Sequence, residues 1–192
     1  MLQFDEETHT YTLAGRTVPS VTQILSFGED LSRIPAWTAE RGKAVHLAAQ
    51  FDDEGDLDEE SLDPIVRPYL DAYRRWRVKC APRFLGIELM VWGEHDGLQF
   101  CGTIDRVALI EDRLAVLDLK TGRPRPEHAA QVAAYAVAYT QQHDGHCPEH
   151  QGCIYLGQDG SYDVRTYDDG AGWEYFVDKL RAYYAATREG VK

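Results

Sequence analysis

Apolar positions three or four residues apart predict helices in four segments of the chain. These segments, with their apolar sides, are 37–51 (Ala44, Leu47, Ala48, Phe51), 64–79 (Tyr69, Leu70, Tyr73, Trp76), 126–142 (rich in alanine) and 171–187 (Trp173, Phe176, Val177, Leu180, Tyr184). Ser20 and Gln23 match a capping box, which predicts a further short helix through Leu25.

A different pattern, apolar runs bounded by turn residues, predicts strands in the middle of the chain. Strands are expected at 87–92, 98–110 and 113–120, joined by turns at Asp96-Gly97 and Glu111-Asp112. Hairpins are expected between Phe4 and Thr17 and over 154–167. This order predicts an α/β (α+β) fold in which helices flank a central mixed sheet with an antiparallel meander. We expect residues 1–192 to form one domain.

The two central turns fix the pairing of the three strands. Two-residue turns at these positions place Glu88 opposite Asp105, and Asp105 opposite Asp118. Directly opposed residues face the same side of a sheet, so three carboxylates would stand in a row. Lys120, two residues after Asp118, shares that face. A bulge between Gly93 and Asp105 would move Glu88 out of the row.

This row of carboxylates suggests a metal site. Opposed carboxylates repel each other, and one lysine offsets only part of their charge. Oxygen ligands suit Mg²⁺ or Mn²⁺, which would activate a water for attack on a phosphodiester while Lys120 holds or deprotonates that water. The alternative is a solvent-facing stripe of acids that never meet, but the apolar residues Ile104, Leu117 and Leu119 favour a partly buried site.

Charge is unevenly distributed along this acidic chain, whose net charge is −12. Residues 52–63 hold eight acids in twelve positions and are expected to form a solvated loop. The segment 67–83 is rich in arginine and lysine instead. Its Arg74 and Arg75 are candidates for binding the phosphates of a substrate. The alternative is that these arginines pair with the acidic run.

Cysteine usage and hydropathy exclude other classes of protein. The cysteines form no C-x-x-C pair, and Cys147 with its neighbouring histidines has only loose zinc-ligand spacing, so a polar loop is expected there. No apolar run approaches the roughly 20 residues of a membrane span. The polar N-terminus does not read as a signal peptide, so a cytoplasmic protein without membrane contact is expected.

Three short segments, in order, resemble the PD-(D/E)XK nucleases: GTIDRV (102–107), LDLKTG (117–122) and QVAAY (131–135). The resemblance is to the RecB-like branch, which includes phage and Cas4-type exonucleases. RGKAVH (41–46) resembles the helix that supplies a metal-binding histidine in that branch. The resemblance implies a restriction-endonuclease-like core, a DNA substrate and Mg²⁺ or Mn²⁺ as cofactor. The cysteine pattern of the cluster-bearing Cas4 proteins is absent, so no iron–sulfur cluster is expected.

Site residues follow from the motifs. The expected members are the metal ligands His46, Asp105, Asp118 and the carbonyl of Leu119; the catalytic lysine Lys120; Glu88, which assists the metal; and Gln131 and Tyr135 near the DNA strand. Gln131 and Tyr135 are four residues apart and so project together from one helical face. The alternative for both is ordinary helix packing.

The expected function is therefore that of a metal-dependent deoxyribonuclease, an exonuclease in phage or bacterial DNA recombination or processing. A recombination or replication protein is a candidate partner. The alternatives are a nuclease-like fold that serves as a non-catalytic binding or regulatory module, and a structure-specific or restriction-type endonuclease.

Overall fold

The computed structural model describes residues 1–30, 35–167 and 170–189. In these ranges the elements are, in chain order, β1 (Leu2–Asp5), β2 (Thr10–Leu13), β3 (Arg16–Val18), α1 (Val21–Leu25), α2 (Ala36–Glu54), α3 (Arg67–Cys80), β4 (Arg83–His95), β5 (Leu98–Ile110), β6 (Arg113–Lys120), α4 (Pro126–Gln142), β7 (His150–Leu156), β8 (Tyr162–Thr166) and α5 (Ala171–Glu189). Within the same ranges, no helix has the length and hydropathy required to cross a lipid bilayer.

The strands form two sheets. A small antiparallel sheet has the order β1-β2-β3, so the predicted N-terminal hairpin has a third strand. The larger sheet has the order β4-β5-β6-β7-β8. Only β6 and β7 run parallel in it, and α4 makes the crossover between them. The predicted mixed sheet with an antiparallel meander, β4 to β6, is confirmed.

The predicted register of the meander is confirmed by the strand pairs. Ile87 pairs with Arg106 and Leu89 with Ile104, so Glu88 and Asp105 lie between two paired positions. The turn residue Asp96 has φ +52°, the left-handed geometry of a tight hairpin. The irregularity in β4 falls between Phe84 and Gly86, outside the stretch where a bulge would have displaced Glu88.

Helix boundaries follow local capping chemistry. Ser20 accepts a hydrogen bond from the backbone of Gln23, and the Gln23 side chain accepts one from the backbone of Ser20, so the predicted capping box is confirmed. Helix α4 has the predicted limits, Pro126–Gln142. Strand β4 runs from Arg83 to His95 and therefore extends beyond both ends of the predicted strand, 87–92.

Two apolar clusters cover the larger sheet. One packs α1, α4 and α5 against the sheet, around Phe100 and Phe176. The other packs α2 and α3 against it, around Tyr73 and Trp76. The predicted apolar side of α2 is correct at Ala48 and wrong at its other three residues. Val45, Ala48 and Ala49 are its buried residues, whereas Ala44, Leu47 and Phe51 are exposed.

Candidate active site

The site lies where β5 and β6 separate. Their ladder ends at the pair Arg106–Leu117, one residue before Asp105 and Asp118. Beyond this point the backbone N–H of Leu119 donates a hydrogen bond of 2.6 Å to Oδ2 of Asp105. Both carboxyl groups are almost fully buried. At this fork, where β5 and β6 separate, the Asp105 carboxylate takes the place of a backbone acceptor in the ladder.

Helix α2 brings His46 to this fork. The Nε2 atom lies 2.9 Å from the carbonyl oxygen of Leu119, and Nδ1 lies 3.3 Å from Oδ2 of Asp105. Both ring nitrogens thus face atoms of the predicted metal-ligand set. Because His46 is far from β5 and β6 in the sequence, these contacts could not be predicted from the residue itself. Only the resemblance of RGKAVH to a family motif implied them.

A group of possible metal ligands is formed by His46, Glu88 and Asp105. Each offers one ligand atom, and the three atoms lie within 4.8 Å of one another. Two carboxylates and an imidazole are a donor set that suits Mg²⁺ or Mn²⁺. Oδ2 of Asp118 is buried and, among the described residues, accepts no hydrogen bond of good geometry, although it forms an ion pair. These donors fit a divalent cation.

Asp118, Lys120 and Gln131 form a second, connected set. Nζ of Lys120 lies 2.5 Å from Oδ2 of Asp118 and donates a 2.9 Å hydrogen bond to the Gln131 amide oxygen. The amide nitrogen of Gln131 donates to Oδ1 of Asp118 at 2.8 Å and to the hydroxyl of Tyr135 at 3.3 Å. The α4 residues therefore lie against the acid and the lysine, and Gln131 fixes the distance between the two.

Two carboxyl groups of the site have raised pKa values, mainly because they are buried. Burial, with a contribution from neighbouring Asp105, raises the pKa of Asp118 to about 6, although Lys120 opposes the shift. Burial and Asp105 likewise raise the pKa of Glu88 to about 7 against the effect of Arg106. A bound divalent cation would remove this penalty on the charged forms.

The other two titratable ligand groups are stabilised in their charged forms. Burial works to lower the pKa of His46, but Asp105 and then Asp118 outweigh it and raise that pKa to about 9. Burial works to raise the pKa of Asp105, but His46, Lys120 and the Leu119 amide outweigh it and lower that pKa. Without a metal ion, His46 and Asp105 therefore form an ion pair across the ligand group.

The lysine also remains charged. Burial works to lower the pKa of Lys120, but the carboxylates of Asp118 and Asp105 raise it above its ordinary value. A charged ammonium at this position supplies hydrogen-bond donors and positive charge, and it offsets one of the site's carboxylates.

Glu88 has an unusual backbone for an edge-strand residue. Its φ is +48°, in the left-handed region that non-glycine residues seldom adopt. Its carboxylate accepts a hydrogen bond of 3.1 Å from Nη1 of Arg106. This arginine, which is fully buried, was missed by the sequence analysis. A charged residue in the apolar run of β5 was the available signal, since buried arginines need partners.

Arg106 anchors a separate ion-pair cluster. Its Nε donates to Oδ2 of Asp53 at 2.6 Å and to the Tyr73 hydroxyl at 3.1 Å, and Arg77 pairs with Asp53 at 2.8 Å. The prediction that 52–63 is a solvated loop is therefore wrong at its start. Asp52 and Asp53 lie in α2, with their side chains turned toward α3.

The structure explains why a glycine, Gly102, occupies the first position of the GTIDRV segment. A Cβ atom on Gly102 would lie 2.7 Å from Cε1 of Tyr135, closer than such contacts occur. The ring of Tyr135 therefore packs directly on the backbone of β5. This close approach helps to place the hydroxyl of Tyr135 beside Gln131.

The candidate phosphate-binding arginines lie elsewhere on the surface. Arg74 pairs with Asp52 and Glu59, and Arg75 donates a 2.7 Å hydrogen bond to the carbonyl of Gly160. Pairing with the acidic run was the alternative considered for these residues, and Arg74 has that geometry. Their role in DNA binding stays a prediction.

Comparisons with known proteins agree with this geometry. Residues 28–190 match the family model of the PD-(D/E)XK nuclease superfamily, and the chain belongs to that superfamily. Its fold is similar to the crystal structure of a proposed exonuclease from Eubacterium rectale, with a TM-score of 0.61, 11% identity, and coverage of 89% of this chain and 80% of the other. The crystal structure of SSO0001 is less similar, with a TM-score of 0.40 at 13% identity and 84% of each chain covered. No curated protein matches the sequence significantly.

Proposed function

We propose that this nuclease-superfamily chain is a Mg²⁺- or Mn²⁺-dependent exonuclease that hydrolyses phosphodiester bonds of DNA. The observation that carries the proposal is the meeting of His46, Glu88 and Asp105 beside Asp118 and Lys120 at the end of one sheet. A non-catalytic binding module would not need a buried lysine held between a carboxylate and an amide.

We assign His46, Asp105, Asp118 and the Leu119 carbonyl as metal ligands, with Glu88 assisting. When bound, the ion would lower the pKa of a coordinated water and offset the charge of the phosphate. Glu88 and Asp118, whose carboxyl pKa values are raised without an ion, would then be present in their charged forms.

Lys120 is assigned as the catalytic lysine. Its Nζ donates to Gln131 and pairs with Asp118, which leaves an ammonium proton to orient the attacking water or to stabilise charge on the phosphoryl oxygens. Gln131 positions this ammonium group by bonding to both it and Asp118. We infer a biological role in phage or bacterial DNA processing of the RecB-like kind, with a recombination or replication protein as the candidate partner.

End-labelled linear DNA and closed circular DNA, each incubated with Mg²⁺, Mn²⁺ or EDTA, test the proposal. We expect mononucleotides or short products from the linear DNA with either metal, and no products with EDTA. Cleavage of the closed circle would instead indicate an endonuclease. Binding of DNA without cleavage under all metal conditions would support the non-catalytic module and contradict the proposal.

A further inference from the structure

Two side chains at the start of α2, Trp37 and Arg41, form a stack with Tyr69 of α3 that runs from the core to the surface. Tyr69 is 4% exposed and Trp37 is 58% exposed. The guanidinium carbon of Arg41 lies 5.2 Å from the ring centroid of Tyr69 and 5.0 Å from that of Trp37. We call these three residues the Trp37 stack. A cation over an aromatic ring is attracted to it, so the arginine holds the exposed indole in place.

The Trp37 stack is fixed to the end of the strand that carries Lys120. Nη2 of Arg41 donates a 3.3 Å hydrogen bond to the carbonyl of Thr121, the residue after Lys120. Nine residues separate Trp37 from His46 on α2, which corresponds to about 14 Å along the helix axis. His46 contacts the carbonyl of Leu119 and Arg41 contacts that of Thr121, so the metal-ligand group and the Trp37 stack both contact the end of β6.

The charge of Arg41 is not neutralised within the described ranges. Arg67, Arg74 and Arg77 each pair with a carboxylate of the acidic run. Arg41 forms no such ion pair in those ranges, and its Nε is buried there without a hydrogen-bond partner. In a chain of net charge −12, a cation held over an exposed indole is a feature that suits an anionic, aromatic ligand.

We propose that Trp37 stacks on an unpaired base of the nucleic-acid strand being cut, with Arg41 contacting a phosphate of the same strand. The proposal rests on the proposed function and narrows its substrate to single strands or duplexes with an unpaired end. A base exposes its face for stacking only when it is out of the duplex.

Fluorescence anisotropy of a labelled 12-nucleotide single strand, with Ca²⁺ replacing Mg²⁺, tests the stack directly. A blunt duplex of the same sequence is the second probe. Trp37→Ala should weaken single-strand binding at least about fivefold, as expected for loss of one base–aromatic contact. Its effect on the blunt duplex should be smaller, and Trp37→Phe should keep most of the affinity.

Two further variants control for charge and for exposed apolar surface. Arg41→Gln should flatten the slope of log affinity against log salt by about 0.7, the value for one phosphate contact to a single strand. Leu47→Ala removes another exposed apolar side chain, 50% exposed, from the same helix but outside the Trp37 stack. It should leave binding of both probes unchanged.

The outcomes separate this inference from the proposed function. Wild-type cleavage together with unchanged single-strand affinity in Trp37→Ala would overturn the subsite and leave the nuclease proposal intact. A wild-type protein that neither binds nor cuts nucleic acid would overturn both. If wild type self-associates, Trp37→Ala is monomeric and the single-strand affinity is the same, then the indole binds a second copy of the chain and the subsite is wrong.

Discussion

Asp105 and Arg106 are neighbours in β5, yet the clusters that they belong to differ in how their carboxyl groups are held. Around Arg106, the guanidinium groups of Arg106 and Arg77 face the carboxylates of Asp53 and Glu88, so cations and acids are matched. Around Asp105, the carboxyl groups of Asp105 and Asp118 face His46 and Lys120, and Glu88, which also pairs with Arg106, adds a third carboxyl group. The pKa values of Asp118 and Glu88 are raised.

The comparison shows that residue type alone does not distinguish a structural ion-pair cluster from a candidate metal site. Both clusters are buried and both use acids with cations. The Arg106 cluster joins α2, α3 and β5 through ion pairs among its own side chains and is expected to stabilise α2 and α3 against β5. The Asp105 cluster holds two carboxyl groups with raised pKa values, so it favours either protons or a divalent cation. Glu88 touches both clusters and connects them.

Removing charge from the Asp105 cluster should have the largest effect. We expect Lys120→Ala and Asp118→Ala each to lower the cleavage rate by about 10²–10⁴-fold, the range for a group that transfers or stabilises charge in the transition state. Circular dichroism should show that both variants stay folded. The control is Lys43→Ala, an exposed lysine of α2. Cleavage at the normal rate in either variant, free of wild-type protein, would refute the assignment.

Breaking the Arg106 cluster should instead reduce stability. Arg106→Met leaves Asp53 buried without its main partner and should lower the free energy of unfolding by about 3–5 kcal/mol. Urea unfolding in EDTA measures this change. Arg67→Met is the matched control, because its ion pair with Glu59 is exposed and should contribute about 1 kcal/mol or less. If both variants lose the same small amount, the Arg106 cluster is not structural.

Without metal, the melting temperature should fall as pH rises from about 5 to 9. The folded pKa values of Asp118, Glu88 and His46, about 6, 7 and 9, all exceed their ordinary values. Each protonated form therefore stabilises the fold at low pH, and each contribution is lost as pH passes the folded pKa. Asp105 has the opposite shift, but it titrates below this range. We expect a decrease of at least about 3 °C by calorimetry.

Manganese should reverse this trend, because the ligands bind a cation in their deprotonated forms. Its stabilising effect should grow with pH. Asp118→Asn removes one titrating acid and should flatten the metal-free pH profile. In a calorimetric titration, Asp105→Ala should bind Mn²⁺ more weakly than wild type. Equal affinity would remove Asp105 from the ligand set, and a metal-free melting temperature that rises toward pH 9 would refute the raised pKa values.

The smallest effect is expected at the surface arginines. Arg75→Ala should weaken DNA binding and flatten its salt dependence by about one unit of slope, if Arg75 contacts one phosphate. Arg74→Ala should do less, because Arg74 already pairs with Asp52 and Glu59. Filter binding at several salt concentrations measures both. Unchanged affinity and slope in the double variant would place the DNA path elsewhere, for example near Arg123.

Local sequence signals predicted the meander and its register well. The Asp96-Gly97 turn set the pairing that brings Glu88 level with Asp105, because a two-residue turn leaves no freedom of register. The capping box at Ser20 and the limits of α4 were also predictable from nearby residues. These features depend on chemistry within a few positions of the chain.

Long-range burial was less predictable. The apolar side expected for α2 was correct only at Ala48. Leu47 and Phe51 face outward, while Val45 and Ala49 are buried with Ala48. The Arg106 cluster joins residues 33 and 53 positions apart, and no local pattern links them. The contact of His46 with Leu119 could be inferred only by resemblance to a family.

The hydrogen bond from the Leu119 amide to Asp105 gives the site a built-in spectroscopic reporter. An ion that draws electron density from Oδ2 of Asp105 weakens this bond, so the amide resonance of Leu119 should move as metal binds. This nucleus belongs to the backbone of β6 and takes no part in catalysis. Its chemical shift would therefore report the fraction of protein molecules that have metal bound, without a substrate and without a label on the side chains of the site.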